Sequence, residues 1–350
     1  MRSPIKVLVV DDSALIRQML TRALSVDPSI EIVGTAKTGL EAIEKANALQ
    51  PDVVTLDIEM PELSGLEALP HIVKTTLARV VMLSSLSDHD TTYQALDRGA
   101  VDFLVKPAAG VALSLADLSE TLIKKIKIAN RISPEHRFSS PAEKLEGGKG
   151  TTVSPARRGL PADRVVAIAA STGGPPALET VFSGLTADLP AAYVIVQHLP
   201  AGFTASLARR LSRVTDIPVT EVEAGMPVET GVAYLAPHGS HMRIVGMSVK
   251  RLGLGDGPPL HGVRPAADPL LESVASSYGE RAVGVVLTGM GADGAAGLKL
   301  IRDAGGETIA QDEETSVVWG MPGAATRSGA ALHVVPLGSV SAEIRRAVRG

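Results

Sequence analysis

Between residues 5 and 131, short unbroken apolar runs alternate with stretches in which apolar residues recur every three or four positions. The runs cover 5–10, 30–34, 53–56, 80–83 and 101–105. Between the first two, Ser13 precedes Leu15, Ile16, Met19, Leu20, Ala23 and Leu24, which is helical spacing behind a residue that caps helix N-termini. Unbroken apolar strands separated by helices predict a parallel sheet covered on both faces, here a five-stranded (βα)5 unit. The periodicity disappears over 132–162, where Gly, Ser, Pro, Thr and charged residues dominate. That stretch reads as a flexible tether whose r.m.s. reach, at about 5–6 Å × √n, is roughly 30 Å.

From 163 the alternation resumes. VVAIAAS (165–171) predicts a strand, Pro175 and Pro176 open a helix, YVIVQH (193–198) is a second strand, and 202–214 a second helix. The segment 232–252 reads as a β-hairpin inserted in the pattern. A helix over 269–278, a strand over 282–287, a helix near 295–303 and short strands at 308–310 and 332–335 follow. The expected architecture is an N-terminal five-stranded parallel domain (1–131), a flexible linker (132–162) and a larger doubly wound α/β domain with an inserted β-hairpin (163–350).

Composition narrows the function. The 34 Lys and Arg against 38 Asp and Glu give a net charge of −4, with no basic footprint for nucleic acid. With no Cys, thiol nucleophiles and zinc–thiolate sites are excluded. The N-terminal apolar run is too short for a signal peptide and no run is long enough to span a bilayer, so a cytoplasmic location is expected. Aromatics are only 3%, so the cores must be aliphatic and rich in Ala.

In the first domain, reactive groups fall at strand ends: Asp11 and Asp12 after the first, Asp57 after the third, Ser84 after the fourth, Lys106-Pro107 after the fifth. Carboxyl ends of parallel strands converge on the crevice where ligands bind. Three carboxylates there (Asp11, Asp12, Asp57) would repel one another without a hard divalent cation such as Mg²⁺. Asp57 could then take a phosphoryl group, with Lys106 offsetting the charge. A single Asp at a strand end is usually only a turn residue; four polar groups on four strand ends are not. Asp11-Asp12, Asp57-Ile-Glu-Met-Pro-x-x-x-Gly65, Ser84 and Lys106-Pro107 resemble the receiver domain of two-component response regulators. The resemblance implies that Asp57 is the phosphoacceptor and that Asp12 and the Glu59 main chain help hold Mg²⁺. It also implies that Lys106 and Ser84 contact the phosphoryl group, and that Phe103 sits at the family's switch position, where a plain core Phe is the alternative.

In the second domain, Ser171, His198 and Asp293 each follow an apolar strand. If those strands are parallel neighbours, a hydroxyl, an imidazole and a carboxylate meet: nucleophile, base and the group that orients the base. Thr172-Gly173-Gly174 opens a helix and offers free N–H groups to a developing oxyanion, and Gly289-Met290-Gly291 could add another. The blander readings are a helix N-cap for Ser171, a satisfied strand-end histidine for His198 and a loop cap for Asp293. Gly289-Met-Gly-Ala-Asp-Gly294 is also a literal G-x-G-x-x-G, but Asp293 would set a carboxylate against a dinucleotide pyrophosphate. His238-x-x-His241 lacks a third ligand nearby and reads as a polar loop rather than a metal site. The acidic run 312–314 reads as a solvated face that could also steer a substrate.

Ser171-Thr-Gly-Gly, Gln197-His198, Gly225-Met-Pro, Thr288-Gly-Met-Gly-Ala-Asp293-Gly and Gln311-Asp-x-x-Thr-Ser-Val-Val-x-Gly-Met-Pro resemble the chemotaxis protein-glutamate methylesterase/protein-glutamine glutaminase family (CheB-type). The likeness spans nearly the whole chain, with Trp319 where a smaller aromatic is expected and only an approximate match over 262–269. It implies a Ser171–His198–Asp293 triad with oxyanion donors near Met290 and Thr172, and no cofactor in the catalytic domain. The implied substrates are methyl-accepting chemotaxis receptors, demethylated at glutamyl methyl esters and deamidated at glutamines. The implied phosphodonor is a phosphohistidine-bearing sensor kinase, and the receiver is expected to cover the active site until Asp57 is phosphorylated. Two other classes are a DNA-binding response regulator and a receiver-coupled scaffold with an inactive triad. Against the first, residues 163–350 show no helix-turn-helix pattern; activity on a generic ester separates the second.

Overall fold

The structure is a computed structural model and describes residues 3–85, 89–106, 115–132 and 159–350. The expected tether over 132–162 lies, apart from its ends, outside the described residues, as does Pro107. The chain divides into two compact units, Met1–Glu143 and Lys144–Gly350.

The first unit runs β1 (Ile5–Val10), α1 (Ala14–Leu24), β2 (Ile30–Ala36), α2 (Gly39–Leu49), β3 (Val53–Asp57), α3 (Gly65–Thr75), β4 (Arg79–Ser84), α4 (His89–Asp97), β5 (Asp102–Val105) and α5 (Leu115–Ala129). Its sheet has the order β2-β1-β3-β4-β5, with every pairing parallel. The apolar runs are continuous because helices cover both faces of the sheet: every residue of β3 is buried, as are Val7–Val10. Ser13 caps α1, its hydroxyl accepting from the Ile16 amide. At the start of α3, Ser64 and Glu67 form a reciprocal capping box.

The second unit runs β6 (Val165–Ala170), α6 (Gly174–Ser183), β7 (Ala192–Gln197), α7 (Phe203–Leu211), β8 (Val219–Glu221), β9 (Ala233–Leu235), β10 (His241–Val245), β11 (Arg251–Gly255), α8 (Ala267–Tyr278), β12 (Ala282–Val286), α9 (Ala295–Asp303), β13 (Glu307–Gln311), α10 (Met321–Arg327), β14 (His333–Val335) and α11 (Leu337–Arg349). Seven strands form a parallel sheet in the order β14-β13-β12-β6-β7-β9-β8. Every residue of β6, β7 and β12 is buried. Alanines such as Ala167, Ala169 and Ala192 pack there with Val165, Val194 and Leu298.

The segment 232–252 is only partly a hairpin. β10 and β11 pair antiparallel as an isolated two-stranded ribbon, and Met247 at its turn is 93% exposed. β9 instead joins the main sheet between β7 and β8, because Ala233, Tyr234 and Leu235 are all buried there. Among the described residues, no helix is long and apolar enough to cross a membrane.

Candidate active site

In the first unit, four strand ends deliver their polar groups to one edge. One carboxylate oxygen from each of Asp11, Asp12 and Asp57 lies within 4.8 Å of the other two; Asp11 and Asp57 are buried and Asp12 is exposed. Lys106 Nζ lies 2.6 Å from Asp57 Oδ2 and 2.9 Å from Asp11 Oδ2. Burial pushes the Asp57 carboxyl up to about 6, overcoming the hydrogen bond and charge of Lys106, with Asp11 and Asp12 adding to the rise. Burial pulls the Lys106 ammonium down, but its bonds to Asp57 and Asp11 outweigh that and raise it. One lysine thus leaves this carboxylate cluster short of positive charge, and an all-oxygen donor set suits a hard divalent cation.

The Ser84 hydroxyl is buried and lies 2.6 Å from Thr92 Oγ1. Phe103 is buried, with Lys125 Nζ 5.9 Å from its ring centre. The motif glycine has a steric origin: a Cβ on Gly65 would sit 1.7 Å from the Asp57 carbonyl oxygen. Helix α3 can therefore start against β3 only with Gly at that position.

In the second unit, β6 sits between β12 and β7 at the middle of the sheet, and Ser171, His198 and Asp293 follow these three strands. Ala170 pairs in register with Gln197, and the His198 amide donates to the Ala170 carbonyl at 3.1 Å. Ser171 and His198 are therefore the next residues on neighbouring strands, whose axes run about 4.8 Å apart. His198 Nε2 lies 2.8 Å from Asp293 Oδ2. Among the described residues, the Ser171 hydroxyl makes no hydrogen bond.

Asp293 is buried and firmly held. Its Oδ2 also accepts from the Ala267 amide at 2.7 Å, and its Oδ1 from the Asp268 amide at 3.0 Å, both at the start of α8. Burial pushes Asp293 up, but the hydrogen bond and charge of His198 and those two amides overcome it, so the carboxyl sits below the usual range. It is an anion at neutral pH.

Main-chain and side-chain bonds fix the turn that carries Ser171. The Ser171 amide donates to the Thr288 carbonyl at 3.0 Å, and Gln197 Nε2 donates to the Ser171 carbonyl at 2.8 Å. Thr288 Oγ1 donates to the Thr172 carbonyl at 2.9 Å, while the Thr288 amide donates to buried Gln311 Oε1 at 2.8 Å. Gln311 Nε2 donates to the Thr315 carbonyl, and Trp319 Nε1 to the Gln311 carbonyl. The Gln311–Trp319 loop is thus bonded to the turn carrying Ser171. Gly289 packs against that turn, and the next residue, Met290, is 41% exposed.

The histidines of His238-x-x-His241 do not converge: His238 Nδ1 faces the Leu199 carbonyl, and both ring nitrogens of His241 are engaged, with the Pro258 carbonyl and the Ala266 amide. Two polar residues beside Asp293 escaped the sequence reading. His261 Nε2 lies 2.8 Å from Asp268 Oδ2, and Asp268 Oδ1 accepts from the Gly297 amide at 2.8 Å. Neither side chain follows an apolar strand, so no local pattern marked them.

Residues 166–344 match the family model described as CheB methylesterase, and residues 7–116 match that of the response regulator receiver domain. The chain belongs to the CheB methylesterase family. A protein-glutamate methylesterase/protein-glutamine glutaminase of Pyrococcus horikoshii is 45% identical over 347 residues, covering 98% of this chain and 94% of that protein. A Xanthomonas campestris pv. campestris protein so named, with the suffix 1, is 46% identical over 346 residues, covering 97% and 96%. The crystal structure of the Thermotoga maritima CheB methylesterase catalytic domain aligns with a TM-score of 0.51 at 38% identity, covering 52% of this chain and 97% of that one. CheB membership makes the chain an ester hydrolase coupled to a receiver. Its five-stranded receiver sheet and separate parallel α/β domain are the architecture expected from the pattern.

Proposed function

We propose that this chain is a phosphorylation-controlled esterase that hydrolyses glutamyl methyl esters on methyl-accepting chemotaxis receptors and deamidates glutamines by the same groups. The carrying observation is the 2.8 Å His198–Asp293 hydrogen bond beside Ser171 on the central strands. With Nε2 turned to Asp293, Nδ1 is the nitrogen that takes the Ser171 proton. The hydroxyl oxygen attacks the γ-carbonyl, giving a tetrahedral oxyanion received by main-chain N–H groups near Thr172 and Met290. The intermediate collapses, methanol leaves with the proton from His198, and water repeats the sequence to free the glutamate. Ammonia replaces methanol when the substrate is glutamine. Asp293 holds the ring tautomer and balances the imidazolium.

Domain roles follow: 1–131 is the receiver, 132–162 the tether and 163–350 the catalytic domain, in a cytoplasmic protein that meets the membrane only through receptors. Asp57 accepts the phosphoryl group from a phosphohistidine-bearing kinase, and Lys106 and Ser84 contact it. Asp11, Asp12, Asp57 and the Glu59 main chain would hold Mg²⁺, which would offset negative charge on the phosphoryl oxygens. The catalytic domain needs no cofactor. The unphosphorylated receiver covers the Ser171 crevice, and a tenfold activation requires only about 1.4 kcal/mol of differential stability between covered and open forms.

Methanol release from methylated receptor membranes is the deciding assay. Adding a small phosphodonor with Mg²⁺ is expected to raise the rate about tenfold or more, and Asp57→Asn or removal of Mg²⁺ by chelation to abolish the rise without lowering the basal rate. Deleting residues 1–140 should give the activated rate with no phosphodonor. If neither treatment changes turnover, the covering role of the receiver is wrong.

Gly289→Ala probes the packing behind the nucleophile. Its Cβ would lie 2.3 Å from Met321 Sδ and 2.7 Å from Ser171 Cβ, so the Ser171 turn must move. The expected loss is about 1–3 kcal/mol in a denaturant titration and about 10–100-fold in kcat.

A further inference from the structure

We propose that His261, Asp268 and Asp293 form a binding site for a divalent transition-metal ion of the zinc type, and that filling it silences the esterase. The binding claim stands on geometry alone; the silencing rests on the reading of Asp293 as the partner of the catalytic imidazole. The three donors come from separate segments: the loop after β11, the first turn of α8 and the loop before α9. Their ligand atoms lie within 4.8 Å of one another. His261 Nε2 is 2.8 Å from Asp268 Oδ2 and 3.9 Å from Asp293 Oδ1. Tetrahedral zinc with bonds of 2.0–2.2 Å sets its ligands about 3.3 Å apart. These two separations fall on either side of that figure, each within about 0.6 Å of it, and the third pair lies within 4.8 Å.

The chemistry of the donors agrees. One imidazole with two carboxylates is a borderline set suited to zinc and its neighbours, whereas the Asp11, Asp12 and Asp57 cluster of the first unit offers oxygen alone. Three protein ligands leave a fourth position for water. Both carboxylates are already aimed by main-chain donors: Asp268 Oδ1 by the Gly297 amide, and Asp293 by the amides of Ala267 and Asp268. Asp293 Oδ1 keeps a lone pair beyond the Asp268 amide, and a metal on Asp268 Oδ2 would replace the hydrogen bond from His261. The side chains of Asp268 and Asp293 are 18% and 2% exposed, while that of His261 is 43% exposed and gives the ion a way in.

His261 holds φ of +53°, a left-handed backbone that residues other than Gly rarely adopt, so the imidazole is presented from a constrained turn. The start of α8 opposes a cation, but about half a unit of positive charge there is outweighed by two carboxylates. Arg264 of the same loop is occupied by the carbonyls of Asp256 and Gly257. An ion on Oδ1 draws the Asp293 charge away from His198, and the imidazolium formed during catalysis loses its counter-charge.

Cobalt(II) added to the full-length protein in excess Mg²⁺ reads the site without reference to activity. The intense visible bands of tetrahedral cobalt are expected at one equivalent, displaced by zinc, absent in His261→Ala and weakened in Asp268→Asn. Their absence from the wild type, or their persistence in His261→Ala, overturns the site. In parallel, micromolar zinc should inhibit methanol release reversibly to chelation, with the inhibition constant raised tenfold or more in His261→Ala. Equal inhibition of both proteins overturns the silencing. A protein that shows the cobalt bands but releases no methanol even when metal-free would count against the esterase reading, not against the site.

Discussion

Ser171→Ala is expected to release methanol from methylated receptor membranes about a million-fold more slowly than the wild type, the loss typical of a nucleophile that acts as one unit with its base. Combining it with His198→Gln should add almost nothing, because the proton acceptor has no work once the hydroxyl is gone. The fold should not notice the change: among the described residues the Ser171 hydroxyl makes no hydrogen bond, and the turn is held by its amide and carbonyl. Thermal unfolding within about a degree of the wild type, together with the collapse in turnover, is the expected pair of results. A residual rate within tenfold of the wild type would remove Ser171 from the mechanism.

Asp293→Asn should lower kcat about 10⁴-fold, because an amide offers no charge to the imidazolium and favours the wrong tautomer. Unlike the serine change, it should also destabilise. Both Asp293 oxygens accept main-chain N–H groups, so the new NH₂ must face a donor in either orientation. One buried amide left unpaired costs about 1–3 kcal/mol. The pH dependence has a definite sign. The folded carboxyl lies below its ordinary 3.8, so Asp293 contributes its full stability above that pH and loses it only as the pH falls through the lower folded value. The deficit of the variant should narrow as the pH falls below 3.8 and through the lower folded value. Denaturant titrations on the acid side of about pH 4 measure it; a deficit that grows there would contradict this account of Asp293.

The sheet strands that bear the chemistry were the easiest part of the chain to read. β1, β3, β6, β7 and β12 are covered on both faces, so burial alone writes their apolar runs. β8 and β9 have three residues each, too few to carry a period, and β9 reveals its place only by pairing with β7 and β8. Helix α10 begins Met321-Pro-Gly, a composition that reads as loop. Helix α11 could have been read: Val340, Ile344, Ala347 and Val348 are buried at helical spacing. Around the site, strand-end positions and family motifs point to Ser171, His198 and Asp293; the motifs also contain Gln197, Thr288 and Gln311 but assign them no bond. Gln311 matters because its amide links Thr288 to Thr315, and His261 because the fold carries it to Asp268; neither relation has a local trace.

The ribbon of β10 and β11 divides the catalytic domain unevenly. A chain severed at its exposed turn by Met247 would leave Ser171 and His198 on one fragment and Asp293 on the other. Neither fragment alone could assemble the three groups. Rejoining them requires β12 to zip against β6, so returning hydrolysis would report the docking of two polypeptides. Fused to two other proteins, such halves would make a split sensor of whether those proteins meet.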